Sequence, residues 1–213
     1  MKNSWKLAAF ALLAAVQLGV PAHLIQRQQQ TLAHGAEYRF KTAPVDPADP
    51  FRGRYVALNF TAACAPLPSP GEPDGRHESK WFALLATDGE GYARIADLSR
   101  ERPTDGDYIQ VRSQPSGGCA GGGGRLEFPF NRFYLPEQMA PQAEAAYMAS
   151  NRRRTALPAP AEGTEPPDPR VPAYARVRVL DGNAALQELV LDGLPLREFL
   201  ERERAARGEG ANP

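Results

Sequence analysis

The chain has 213 residues, 42% of them hydrophobic, with 25 basic and 25 acidic side chains and no formal net charge. That length supports one domain with appendages, and the neutral balance removes the electrostatic reason to expect a nucleic-acid partner. With 21 prolines and 19 glycines, nearly a fifth of the chain, long loops and short strands are expected rather than a helical bundle.

The first element is apolar. Lys2 and Lys6 precede Leu7 to Ile25, LAAFALLAAVQLGVPAHLI, about the length that crosses a bilayer. Read as a signal peptide, this segment is cleaved after Val20-Pro21-Ala22. Read as a signal anchor, residues 1–25 stay as a membrane helix with their positive end inside. The anchor reading is preferred, because only Ala22 suits a cleavage site and Pro21 adjoins it. Either reading places residues after about 26 outside the cytoplasm. Gln26 to Ala33 is polar and continues as a short juxtamembrane helix. Glu37 to Thr42 alternates and reads as a strand.

Pro44 to Phe60, PVDPADPFRGRYVALNF, is the most distinctive stretch. Pro44, Pro47 and Pro50 fix their own φ and push the preceding residues away from helix. Asp46 and Asp49 each precede a proline, which favours turns. An extended, kinked connector is expected, ending at Arg52, with Gly53 allowing a sharp turn. Val56, Leu58 and Phe60 are apolar at period two, predicting a strand over about 53–62 with one buried face.

Ala63 to Lys80, with Cys64, reads as a loop. Trp81–Thr87 and Tyr92–Leu98 form a hairpin across Asp88-Gly89-Glu90-Gly91. Asp107–Val111 is a short strand. The glycines at 117, 118 and 121–124 flank Cys119 and read as a flexible loop. A phosphate cradle needs a following Lys-Ser/Thr and a helix, and neither pattern follows. Arg125–Phe130 is a strand. Pro136–Arg154 is a helix, regular from Pro141, with Met139, Ala143, Ala146 and Tyr147 sharing a face. A Pro-rich loop over 155–172 follows. Ala173–Leu180 and Ala185–Leu191 pair around Asp181-Gly182-Asn183. Leu196–Ala206 is a helix whose Leu196, Phe199 and Leu200 can dock on the sheet, and residues 207–213 should fray. The fold expected is α+β: an N-terminal transmembrane helix, then one β-rich, mainly antiparallel domain over 26–206 with one or two helices.

Gly53-Arg54-Tyr55-Val56-Ala57-Leu58-Asn59-Phe60, with its PVDPADPFRG lead-in, resembles the signature of the GDYXXLXY family of small bacterial membrane-associated proteins. Arg54 stands where the motif has Asp, reversing a charge, and Phe60 stands where it has Tyr. Phe133-Tyr134-Leu135-Pro136-Glu137 is similar to a second segment of that family. The resemblance implies a companion of multi-spanning proteins and no particular chemistry.

Cys64 and Cys119 are the two cysteines. Outside the cytoplasm such a pair suggests a disulfide, with two free thiols as the alternative. His23, His34 and His77 are isolated, and Asp46 and Asp49 are explained as turn formers, so no metal or other cofactor is expected. A signal-peptidase-like Ser/Lys hydrolase would have to use Lys41 or Lys80. Ser79 adjoins Lys80, but neighbours in a strand point to opposite faces. The preferred expectation is a non-enzymatic accessory subunit. It would be anchored in the bacterial inner membrane through residues 7–25, with its domain on the periplasmic side, docking on a polytopic membrane protein. A tethered hydrolase or a small-ligand binder is the alternative.

Overall fold

A computed structural model describes residues 4–43, 55–65, 80–114, 119, 124–136, 139–155 and 173–206. The helix α1 (Ser4–His34) opens it. Leu/Ala-rich sequence favours helix, and Pro21 lies inside it, as a membrane helix tolerates. At about 1.5 Å per residue its 31 residues span roughly 46 Å, more than a bilayer core needs. Its apolar side chains are exposed on all sides, from Trp5 at 68% to Leu18 at 74%. The expected juxtamembrane helix is the unbroken end of α1.

The far end of α1 is fastened to the domain. Thr31 is buried; its hydroxyl donates to the Arg27 carbonyl at 3.0 Å and accepts from Asn183 Nδ2 at 2.7 Å. Gly35 follows, its N–H donating to the Thr31 carbonyl at 2.9 Å. A Cβ on Gly35 would lie 2.5 Å from that carbonyl oxygen and 2.9 Å from the Val179 backbone, so only glycine fits the approach.

Two five-stranded sheets follow. The first has the order β12 (Leu194–Pro195), β11 (Asn183–Leu191), β10 (Tyr174–Leu180), β1 (Ala36–Ala43), β3 (Asn59–Phe60). The second runs β4 (Cys64–Ala65), β8 (Gly124–Glu127), β7 (Tyr108–Gln114), β5 (Lys80–Thr87), β6 (Ala93–Ser99). A separate ribbon pairs β2 (Tyr55–Ala57) with β9 (Arg132–Tyr134). Every strand pairing is antiparallel. Asp181-Gly182 and Asp192-Gly193 both take positive φ at each residue, the geometry of two-residue turns that match strand twist. The first turn joins β10 to β11 and the second joins β11 to β12. On β10, Ala175, Val177 and Val179 are buried and alternate with the half-buried Tyr174, Arg176 and Arg178. Helix α2 (Ala140–Thr155) buries Ala143, Ala146 and Tyr147, and α3 (Leu196–Ala206) buries Leu196, Phe199 and Leu200. These residues and the inner faces of both sheets share one core.

Four phenylalanines sit at its middle. Phe40, Phe60, Phe128 and Phe130 all touch one another, every pair of ring centroids lying 5.0 to 5.8 Å apart. Tyr38 Oη donates to Asp107 Oδ2 at 2.9 Å, adding a polar tie from the first sheet to the segment entering the second.

Three expectations are corrected. The strand placed at 53–62 is not continuous. It changes partner at Leu58, whose N–H donates to the Asn131 carbonyl at 2.9 Å. Before that point the chain pairs with β9; after it, β3 joins β1. A 3-10 turn (Thr61–Ala63) and β4 then carry it to the other sheet. Burial still alternates through Val56, Leu58 and Phe60, so the apolar pattern survives the exchange. The strand expected to reach Phe130 stops at Glu127. Pro129 cannot donate to a ladder, and the rings of Phe128 and Phe130 stack on each other in the core. The loop reading of 63–80 misses β4, where Cys64 forms a disulfide with Cys119. The remainder of that loop, most of the glycine tract, most of the Pro-rich loop and the tail lie outside the described residues.

Gly35→Val should destabilise the chain by about 2 kcal/mol through forced overlap with two backbones. Urea unfolding of the full chain measures this, and an unchanged midpoint would refute the tight junction. The disulfide spans 55 residues, so Cys64→Ser should cost up to about 4 kcal/mol by loop entropy. Equal midpoints with and without reductant would count against that contribution.

Candidate functional site

The two segments that carry the family resemblance are 78 positions apart from Tyr55 to Phe133 in sequence, and the fold lays them side by side. In the β2–β9 ribbon Tyr55 faces Tyr134, Val56 faces Phe133, and Ala57 faces Arg132. Alternation along a strand sends these pairs to opposite faces. Val56 is buried and Phe133 packs against the core, forming the inner face. The outer face carries an aromatic and cationic cluster. The Tyr55 and Tyr134 rings lie 5.7 Å apart, and the Arg132 guanidinium stands 5.2 Å over the Tyr55 ring. Tyr134 is 68% exposed, the one large apolar side chain so exposed beyond α1 among the described residues. Tyr, Arg and Trp are the side chains most enriched at binding hot spots, so the chemistry suits docking.

The other signature residues divide. Leu58 and Phe60 are core. Leu135 is buried, and the Pro136 carbonyl accepts from the Met139 and Ala140 N–H groups to start α2. Gly53, Arg54 and Glu137 lie outside the described residues, as do the lead-in residues Pro44, Asp46, Pro47, Asp49, Pro50 and Arg52.

Lys41 is held by an ion pair with Glu90 at 2.8 Å and stands 4.7 Å over the Tyr92 ring. A Ser/Lys hydrolase needs its lysine beside a serine in an apolar site; the described partners of the Lys41 ammonium are a carboxylate and a tyrosine ring. Lys80 is exposed and lines an open groove of about 400 Å³, together with Gln110, Arg112, Glu127, Asn131 and Arg132. A second open groove of about 490 Å³ lies between α1 and the β10–β11 turn. Sequence reading passed over Arg132 and both grooves. Only the alternation through Arg132-Phe133-Tyr134 hinted at the ribbon, and three residues are too few to register as a strand.

Burial, together with the hydrogen bond to and the charge of Asp107, pushes the Tyr38 phenol from 10.0 up to about 12. The folded state therefore holds this proton more tightly than the unfolded chain. The resulting stabilisation is complete below about pH 10 and is lost as the pH rises toward about 12. In an ultraviolet titration, Tyr38→Phe should remove the tyrosine that ionises near pH 12. Persistence of that step in the variant would refute the assignment.

No curated protein and no solved structure matches the chain. The GDYXXLXY protein family matches residues 17–189, from the middle of α1 into β11 and across both paired segments. The chain belongs to the GDYXXLXY family.

Proposed function

We propose that this chain is a single-pass protein of the bacterial inner membrane, anchored by α1 with its N-terminus cytoplasmic, and that it docks as a non-enzymatic accessory subunit on a polytopic membrane protein. The observation that carries this reading is the pairing of an apolar helix exposed on every side with an exposed Tyr55–Tyr134–Arg132 surface on the attached domain. A helix whose apolar span stays unburied among the described residues needs lipid or another helix around it. Lys2 and Lys6 before the span favour an inside N-terminus. The Cys64–Cys119 disulfide supports a domain in an oxidising compartment. The resemblance of the two ribbon segments to a family of companions of multi-spanning proteins supplies the kind of partner. The 400 Å³ polar groove beside Arg132 favours a second reading, a small-ligand-binding envelope domain.

A detergent pull-down of the tagged full chain should recover a multi-spanning protein. Tyr134→Ala should cut the recovery by about tenfold or more, the loss expected of a hot-spot aromatic. It should leave stability unchanged, because the side chain is 68% exposed. A full chain that comes down alone after crosslinking, or undiminished recovery with Tyr134→Ala, would overturn docking through the ribbon.

A further inference from the structure

The groove between α1 and the β10–β11 turn has a composition and a position that the docking reading does not use. One wall is a single helix face: His23, Gln26, Arg27 and Gln30, spaced i, i+3, i+4 and i+7. The other wall is Leu180, Asp181 and Arg102. Two guanidiniums from elements 75 positions apart therefore line one space of about 490 Å³. Neither makes a hydrogen bond or ion pair among the described residues. The described contact of Arg102 is the Tyr108 ring, 5.5 Å away. Asp181 sits at the tip of the turn with φ 49° and is not ion-paired to either arginine.

The position along α1 sets the depth. The apolar run ends at Ile25, and Arg27 lies two residues on, about 3 Å further along the axis. If α1 spans a bilayer, that is the level of the lipid phosphates. The walls are also fixed relative to each other. Asn183, next to the turn, donates to Thr31 on the helix at 2.7 Å, and the Gly35 junction leaves no slack. The helix wall and the turn wall of the groove are thus held together before any ligand arrives.

We propose that this groove binds the headgroup of an anionic membrane phospholipid, with Arg27 and Arg102 holding the phosphodiester and Asp181 accepting from a headgroup hydroxyl. The planar fork of arginine matches two phosphate oxygens. Two arginines and one aspartate leave one positive charge, which the single negative charge of a phosphodiester neutralises. The Gln26 and Gln30 amides add neutral donors beside it. The lipid would seat the domain against the membrane surface at a set height. This inference rests on the reading that α1 spans the membrane.

The test uses the full chain, purified in detergent and titrated with phosphatidylglycerol or phosphatidylcholine while native mass spectrometry counts bound lipid. One phosphatidylglycerol per chain is expected in preference to phosphatidylcholine. Arg27→Gln with Arg102→Gln should reduce its retention by about tenfold or more, the loss of two charge-assisted contacts. Arg94→Gln, exposed on β6, should leave retention unchanged. Equal retention by the double variant, or equal binding of phosphatidylcholine, would overturn the site. Displacement of the lipid by millimolar inorganic phosphate would reassign the groove to a soluble anion and overturn the lipid assignment. Alkaline extraction of membranes separates this from the anchor. Wild type and double variant should both stay in the pellet; release of the wild type would sink the spanning reading whatever the lipid count.

Discussion

The contact on which the domain depends is the meeting of four phenylalanine rings, Phe40, Phe60, Phe128 and Phe130. Each comes from a different stretch of backbone or a different side of a proline. Phe40 belongs to β1 in the first sheet, Phe60 to the end of the signature, and Phe128 and Phe130 flank Pro129 just past β8 of the second sheet. Burying one such ring stabilises by about 2–3 kcal/mol, and edge-to-face geometry adds a fraction more. Those rings hold together two sheets that also meet through an isolated backbone bridge of Ile109 to Gly182.

This explains why the signature stretch looks as it does. Its apolar positions Val56, Leu58 and Phe60 serve the core, while its backbone passes from the ribbon to the first sheet and on to the second. A phenylalanine where the family motif has tyrosine suits a ring that is 3% exposed and surrounded by three others. The opposite face carries Tyr55, with Tyr134 and Arg132 supplied by β9.

The second constraint is the junction at Gly35. A flexible linker would let the domain wander relative to α1. Here Thr31, Gly35, Arg178 and Asn183 make the end of α1 part of the first sheet, with Arg178 Nη1 donating to the Gly35 carbonyl at 3.2 Å. Anything that tilts or rotates α1 must therefore move the β10–β11 hairpin with it.

Much of the architecture was legible in the residues. The apolar run, the Asp-Gly turns, the period-two pattern of Ala175, Val177 and Val179, and the docking face of α3 all encode local periodicity, which a sequence displays directly. The resemblance to the family was also carried by local residues. What the tertiary structure decided is every relation between distant segments. The exchange of partners at Leu58, the pairing of Tyr55 with Tyr134, the Cys64–Cys119 bond and the convergence of Arg27 with Arg102 leave no periodic trace. Strand pairing is a choice among many edges of similar propensity. That choice is made by the core that forms when all the edges are chosen together, so no short stretch of this chain could contain it.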